Sequence, residues 1–211
     1  MKLLIAVPCY ETMRVEFARS LFDLVGWLHE HGVTHEVKIL AGTLIYAARD
    51  KLAKHAVNNG FDEVLWLDSD MVFDRHLYED LKTPNKDMVC GLFVARRFPY
   101  VSCLFKSIKP VERISDYPDD TFEVAACGFG AVLMKAQILK DVIISGGGRC
   151  FVPEQDLGED VAFCKRATDL GYRIWCEPTA RVGHVGAIAI WPEDVERLRG
   201  DIQGLEGKTI D

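Results

Sequence analysis

The chain has 211 residues, 49% of them hydrophobic and 27% charged, which is typical of a globular domain with a substantial core. Its 32 acidic and 25 basic residues give a net charge of −7, which argues against a broad nucleic-acid surface without excluding a local basic groove. Its apolar runs are far shorter than the roughly 20 residues of a membrane-spanning helix. Seven widely spaced cysteines without a CxxC pair predict reduced thiols in a cytoplasmic protein, rather than disulfides or a zinc site.

The first seventy residues alternate between strand and helix patterns. Short apolar runs predict strands at 3–7, 35–40 and 63–67. Residues 12–30 have helical periodicity, and a second helix is predicted from Thr43 to a stop at Gly60. Strands that alternate with helices in this way predict an α/β fold with a parallel sheet.

The first predicted helix has a capping residue and an apolar face. Thr12 is expected to cap it, and Gly32 lies just past its end. Residues at helical spacing predict the buried face, namely Val15, Ala18, Phe22, Val25 and Leu28.

The second half predicts short strands with few helices between them, which indicates antiparallel pairing. The predicted strands are 87–94, 100–105, 121–126, 172–176 and 180–185, and the predicted helices are 135–143, 158–170 and 191–199. No repeat or low-complexity linker divides the chain, so we expect a single domain over 1–211.

Two carboxylates follow the third predicted strand. Asp68 and Asp70, separated by Ser69, stand at its carboxyl end, where open α/β sheets bind ligands. Two carboxylates at this spacing repel each other unless a positive group is shared between them. A divalent metal that carries a phosphorylated ligand would satisfy both, because hard cations take carboxylate and phosphate oxygens together.

Three further features point to the same site. Glu159 and Asp160 open a predicted helix, and His184 lies in the segment RVGHVG. The end of the first strand, Pro8 to Glu11, and the pair Arg49 and Asp50 complete the set. Each has a plain structural explanation when taken alone, such as a turn or a favourable charge at a helix start. The hypothesis therefore depends on their combination.

In this order the motifs resemble the nucleotide-sugar glycosyltransferases of the GT-A fold, close to the family 2 type and to small phage or prophage relatives. The resemblance covers residues 3 to about 186, in LIAVPCYE, LIYAARDKLAKHA, VLWLDSDMVF, CGFGAVLMKAQIL and LGEDVAFCKRATDLGYRIWCEPTARVGHVG. It implies a Rossmann-like, mixed but mainly parallel sheet flanked by helices. It also implies a nucleotide-binding half over about 1–95, an acceptor-binding half over about 96–190, and a C-terminal helix and tail over 191–211.

The resemblance also implies ligands and roles. Asp70 of the DXD motif and His184 of the RVGHVG segment would together hold Mn²⁺ or Mg²⁺. Asp68 would reach the metal or the ribose of the donor. The donor would be a nucleoside-diphosphate sugar, with uridine diphosphate as the expected carrier. The implied donor-binding residues are Pro8, Tyr10, Glu11, Arg49, Asp50, Asp68, Ser69, Gly128 and Gly130.

The same resemblance makes Asp160 the catalytic base that takes the proton of the acceptor hydroxyl. Glu159 would hold the acceptor or change the pKa of Asp160, and in a retaining enzyme both carboxylates would only position substrate. The acceptor is left open between a glycan, a protein, a lipid-linked sugar and modified DNA, and a homo-oligomer is left open too. The stretch from Arg96 to Tyr100 mixes charge with aromatic rings, which suits an anionic acceptor or a stacked sugar.

Two other hypotheses fit part of the sequence. Asp68 to Val72 matches the DxDx[VT] string of haloacid-dehalogenase-type phosphatases, in which Asp68 would be a nucleophile. The later acidic pair Asp119 and Asp120 lacks the apolar strand that this type requires. A non-catalytic domain that binds a sugar nucleotide or a glycan is the third hypothesis.

Overall fold

The computed structural model describes residues 1–154, 156–186 and 189–192. Within them lie five helices and a large central sheet. In chain order the elements are β1 (Lys2–Pro8), α1 (Val15–Glu30), β2 (Thr34–Leu40), α2 (Ile45–Asn58), β3 (Glu63–Leu67), β4 (Met71–Val72), α3 (Leu77–Lys82), β5 (Met88–Leu92), β6 (Leu104–Ile108), β7 (Val111–Arg113), β8 (Phe122–Val124), β9 (Ala126–Cys127), β10 (Ala131–Lys135), α4 (Ala136–Ser145), α5 (Glu159–Asp169), β11 (Ile174–Arg181), β12 (Gly183–Val185) and β13 (Ala189–Ile190).

The central sheet has seven strands in the order β2-β1-β3-β10-β5-β11-β8. β1 pairs in parallel with β2 and β3, and β11 pairs in parallel with β5. β10 runs antiparallel between β3 and β5, and β8 is antiparallel to β11 at the edge. The predicted α/β class, with a mixed but mainly parallel sheet, is confirmed.

Helices cover both faces of this sheet. On one face α2, α4 and α5 bury Leu52, Leu139 and Phe163 against the strands. On the other face α1 and α3 contribute Leu24 and Leu77. The strands are therefore buried on both sides, which explains why β1 and β3 are continuous apolar runs and do not alternate.

The predicted buried face of α1 is wrong at Val15 and Phe22 and confirmed at Leu28. Val15 is 81% exposed and Phe22 is 76% exposed. The residues that pack on the sheet follow a second helical register of the same sequence, and they are Phe17, Leu21, Leu24, Trp27 and Leu28. Both sets recur near 3.6 residues, so periodicity predicts the helix but not its rotation about its axis.

The helix starts differ from the predictions, whereas the glycine stops agree. α1 begins at Val15 and α2 at Ile45, so the residues at their N-cap positions are Arg14 and Leu44 and not the predicted Thr12 and Thr43. Neither Arg14 nor Leu44 makes a side-chain cap hydrogen bond. Gly32 and Gly60 follow the helix ends with φ of 67° and 65°, a conformation that favours glycine.

The sequence did not reveal β10, which is central to the sheet. Its residues Ala131–Lys135 follow Gly128 and Gly130, which the resemblance places among the donor-binding residues. The predicted strands 172–176 and 180–185 correspond to one long strand, β11, followed by the short β12. The predicted helix 191–199 falls mostly outside the described residues.

The cysteines are free thiols, as predicted. Six are buried and Cys103 is half-buried. Burial raises the pKa of Cys90 and of Cys164, so their thiolates are disfavoured and they are expected to be unreactive. No helix in the described part of the chain is long and apolar enough to cross a membrane.

Two glycines give a matched test of packing around β5. A Cβ added at Gly91 would lie 2.7 Å from the backbone oxygen of Ala180 in β11, whereas one added at Gly26 in α1 meets no atom within 4 Å. We expect Gly91→Ala to destabilise the protein by about 1–3 kcal/mol, because a strand must shift. Gly26→Ala should stabilise it by up to about 1 kcal/mol. Denaturant unfolding measures both, and equal effects would contradict this packing.

Candidate functional site

A cleft of about 590 Å³ lies at the carboxyl ends of β1 and β3. Parallel strands end at one edge of a sheet, so residues that follow different strands meet there. The lining residues are Pro8, Tyr10, Thr12, Arg14, Ile45, Arg49, Asp68, Ser69, Asp70, Arg96, Glu159, Asp160 and His184. The three separate stretches that carry the predicted acids and histidine therefore converge at one place.

The loop that carries the two aspartates is fixed by its backbone. The N–H of Asp68 donates to Gly130 O at 3.1 Å, and Ser69 O accepts from the N–H of Arg14 at 3.1 Å. The N–H of Met71 donates back to Asp68 O at 3.2 Å. Because β10 and the start of α1 both hold this loop, the carboxylates project into the cleft from a rigid support.

Arg49 joins the aspartate loop to α5. Its Nη2 donates to Asp68 Oδ1 at 2.8 Å and its Nη1 donates to Glu159 Oε1 at 2.6 Å. The residue is only 3% exposed, and its guanidinium lies 5.3 Å from the ring centre of Phe129. Burial alone would lower the pKa of Arg49, but the nearby carboxylates raise it above its ordinary value. Arg49 therefore lines the cleft, but its Nη1 and Nη2 groups are already hydrogen-bonded to two carboxylates of the protein.

Asp68 and Asp70 have opposite electrostatic environments. Burial raises the pKa of Asp68 even though Arg49 opposes the shift. Burial would also raise the pKa of Asp70, but His184 and Arg96 outweigh it and hold that pKa below its ordinary value. Asp70 is therefore the carboxylate that stays ionised more readily.

His184 presents one ring nitrogen to Asp70. Its Nδ1 lies 3.0 Å from Val94 O, and because a carbonyl only accepts, Nδ1 carries the hydrogen. Nε2 then faces Asp70 Oδ2 at 3.5 Å, while Arg96 forms an ion pair with the same oxygen. An imidazole nitrogen and a carboxylate oxygen that face each other in this way are suited to share a metal cation.

The donor set for a metal is small. No group of three or more His, Cys, Asp and Glu side chains in the described ranges is arranged to hold a metal ion. Asp70 and His184 offer two ligands of suitable chemistry, whereas Asp68 is engaged by Arg49. A carboxylate and an imidazole fit an open site, in which substrate oxygens and water complete the coordination.

The two acids at the start of α5 differ in their partners. Glu159 is held by Arg49, whereas Asp160 Oδ1 accepts the N–H of Val161 at 2.8 Å and forms no ion pair with any described residue. The positive end of the helix dipole favours an ionised carboxylate at this position. Among the acids that line the cleft, Asp160 is thus the one that forms no ion pair with a described basic side chain.

Some of the predicted donor-binding residues, Asp50 and Glu11 among them, do not line the cleft. Asp50 is buried, and its Oδ1 accepts the N–H groups of Cys150 and Phe151 at 2.9 and 2.7 Å. It therefore anchors that loop. Glu11 is exposed and does not line the cleft.

Gly128 and Gly130 also lie outside the cleft. A Cβ at Gly128 would lie 3.0 Å from the Phe93 ring, and one at Gly130 would lie 2.7 Å from Met71 Cε. These glycines make room for the core side chains of Phe93 and Met71.

Sequence reasoning missed four lining residues, Thr12, Arg14, Ile45 and Arg96. Thr12 and Arg14 follow the first strand closely, which was an available signal, because the end of that strand was already predicted to reach the site. Arg96 was considered only as an acceptor contact. Its ion pair with Asp70 spans 26 positions in the chain, and no local pattern predicts it.

The pKa shift of Asp70 predicts how stability depends on pH. Because the folded-state pKa of Asp70 is lowered, the unfolded state binds more protons between the folded and unfolded pKa values. The stability contributed by Asp70 is therefore lost as the pH falls through that window. We expect Asp70→Asn to lower stability at pH 7, and the difference from wild type to shrink as the pH falls below about 4. Urea unfolding across pH measures this. A difference that is constant with pH would contradict it.

The sheet order, the two helical layers and the cleft at the strand ends define the class, which is a mixed α/β protein with a large central sheet between layers of helices. One solved structure with a similar fold is that of A197 from STIV. The TM-score is 0.62 and the identity 18%, covering 92% of this chain and 91% of A197. At this identity the similarity shows the fold alone.

Other comparisons add little. A glycosyltransferase involved in the glycosylation of the major capsid of PBCV-1 has a TM-score of 0.36 and 12% identity, covering 68% of this chain and 65% of that one, which carries no argument. No protein-family model and no curated protein matches the sequence.

Proposed function

We propose that this protein is a glycosyltransferase that moves a sugar from a nucleoside-diphosphate sugar, with uridine diphosphate as the carrier, to a hydroxyl of an acceptor. The observation that carries the proposal is the convergence of Asp68, Asp70, Asp160 and His184 on one cleft at the strand ends of a glycosyltransferase-like fold. The cleft, at about 590 Å³, is within the range of small-molecule sites.

Asp70 and His184 would hold Mn²⁺ or Mg²⁺ in this proposal, since their oxygen and nitrogen atoms face each other at 3.5 Å. When bound, the metal ion supplies positive charge that stabilises the leaving diphosphate. Arg96 pairs with the same Asp70 oxygen, so its guanidinium would have to leave this oxygen when the metal ion binds.

Asp160 would act as the general base. It stands in the first turn of α5 and forms no ion pair with a described residue, so its Oδ2 is available for the proton of the acceptor hydroxyl. Arg49 would act as a positioning residue, because it fixes Glu159 beside Asp160 and Asp68 beside Asp70. Tyr10 and Ile45, which also line the cleft, would contact the nucleoside.

The phosphatase hypothesis gains no support from the geometry. Asp119 and Asp120 are exposed and do not line the cleft. The proposed phosphatase nucleophile, Asp68, already forms a hydrogen-bonded ion pair with Arg49.

A thermal-shift screen of sugar nucleotides, with and without Mn²⁺, tests the proposal. A ligand that binds only the folded state stabilises it by about 2.7 kcal/mol at a concentration of a hundred times its Kd, and the melting temperature rises as a result. We expect one donor to raise the melting temperature in a Mn²⁺-dependent way, and Asp70→Asn to lose the Mn²⁺-dependent part. If no sugar nucleotide shifts the transition, the proposal fails.

A further inference from the structure

A second cavity of about 370 Å³ adjoins the cleft. Its described lining residues are Arg14, Arg96, Arg97 and Gly186, and we call it the arginine cavity. Arg14 and Arg96 line both spaces, so they form the shared wall, whereas Arg97 lines only the arginine cavity. A ligand could therefore extend from the cleft into the arginine cavity past this wall.

The positive charge that lines the arginine cavity is only partly balanced by acidic side chains of the described residues. The whole chain has a net charge of −7, yet all charged lining residues in the described part of this cavity are arginines. Arg96 pairs with Asp70, but neither Arg14 nor Arg97 forms an ion pair within the described ranges. Like charges gathered in a concave space repel each other, and an anion bound between them removes that repulsion.

Two ordered elements bring these arginines together. Arg14 is the residue before α1, a helix of 16 residues whose N-terminal dipole adds positive potential. Its backbone N–H is tied to Ser69 O at 3.1 Å, beside the two aspartates. Arg96 and Arg97 lie in the loop between β5 and β6, and the base of this loop is closed by Ala95 N–H donating to Val101 O at 2.9 Å.

We infer that the arginine cavity binds a phosphate ester group of the acceptor, so that the substrate of the proposed transferase is a phosphorylated molecule. This inference rests on the proposed function. Guanidinium groups bind phosphate through paired N–H donors, which makes arginine the side chain of choice for such a ligand. Three arginines in this volume suit one or two phosphate groups, and the acidic chain makes a long nucleic-acid track unfavourable.

The reaction leaves this phosphate ester intact. The acceptor hydroxyl oxygen forms a bond to the anomeric carbon of the donor sugar, and the bond from that carbon to the diphosphate oxygen breaks. The hydroxyl proton goes to Asp160, and the diphosphate leaves with the bonding electron pair. Arg97 only orients the acceptor, so its removal should affect the acceptor and not the donor.

Direct titration with inorganic phosphate at low salt tests the anion site, with calorimetry as the readout. Arg97→Ala should weaken phosphate binding roughly tenfold or more, because a charge-assisted hydrogen bond is lost. Arg75→Ala is the matched control: it removes the same charge from an exposed pair with Glu30 at the far end of α1, about 24 Å from Arg14. If the two variants bind phosphate equally well, the inference fails.

An activity assay tests the assignment to the acceptor. With the donor found by thermal shift, nucleoside-diphosphate release is measured with hexose 6-phosphate, a dinucleotide and a short prenyl phosphate, each against its dephosphorylated counterpart. We expect one phosphorylated member to stimulate release, and Arg97→Ala to raise its KM at least tenfold with the Kd of the donor unchanged. The member that stimulates identifies the source of the phosphate.

The outcomes separate the two proposals. If no donor binds, the proposed function fails, and phosphate binding alone would then leave an anion site without an acceptor role. If a donor binds but no phosphorylated compound exceeds its counterpart, only the inference about the acceptor is overturned. An equal loss of donor and phosphate affinity in Arg97→Ala would assign the arginine cavity to the donor diphosphate and overturn it as well.

Discussion

Replacing Arg49 with methionine is expected to destabilise the protein by about 3–5 kcal/mol and to remove transferase activity. The guanidinium is 3% exposed and bridges Asp68 and Glu159, so its loss leaves two half-buried carboxylates without their partner. Breaking a buried ion pair from one side has this cost because the remaining charge is uncompensated. Urea unfolding measures the stability, and nucleoside-diphosphate release measures the activity.

Two further variants make this prediction specific. Arg75→Met removes an exposed pair with Glu30 and should change stability by less than about 1 kcal/mol. Arg49→Lys keeps the charge but not the planar fork that reaches both acids, so it should restore less than half of the lost stability. If Arg49→Met were as stable as Arg75→Met, Arg49 would not bridge the two acids in solution.

Replacing Asp160 with asparagine should lower kcat by roughly 10²–10⁴-fold, the usual contribution of a general base. Donor affinity should be unchanged, because the proton of the acceptor, and not the donor, is the proposed partner of this carboxylate. Asparagine keeps the size of the side chain and an oxygen for the N–H of Val161, so the fold should be retained. Steady-state kinetics measures kcat, and the donor-induced thermal shift measures binding.

Asp169→Asn is the matched control, because Asp169 lies at the other end of α5 in an exposed pair with Lys165. It should leave kcat unchanged. If Asp160→Asn retains full turnover, Asp160 is not the base. Donor binding without turnover in the wild-type protein, with any acceptor, would instead favour a non-catalytic sugar-nucleotide-binding domain.

Much of the fold could be predicted because its signals are local. The apolar runs of β1 and β3 are buried on both faces, and Gly32 and Gly60 end their helices with positive φ. β10 was missed because its four-residue apolar run, next to glycines, has no periodicity of its own. Its strand identity comes from pairing with β3 and β5, which are distant in the sequence.

The sequence by itself determined that Pro8, Asp68 and Asp70 lie together at the strand ends, since a parallel sheet brings them to one edge whatever the details of packing. Only the tertiary structure decided how their charges are used. It buries Arg49 between two acids, turns Asp50 away to the loop at Cys150, and places Arg96 against Asp70. These pairings join distant parts of the chain, and they depend on packing that no local pattern encodes.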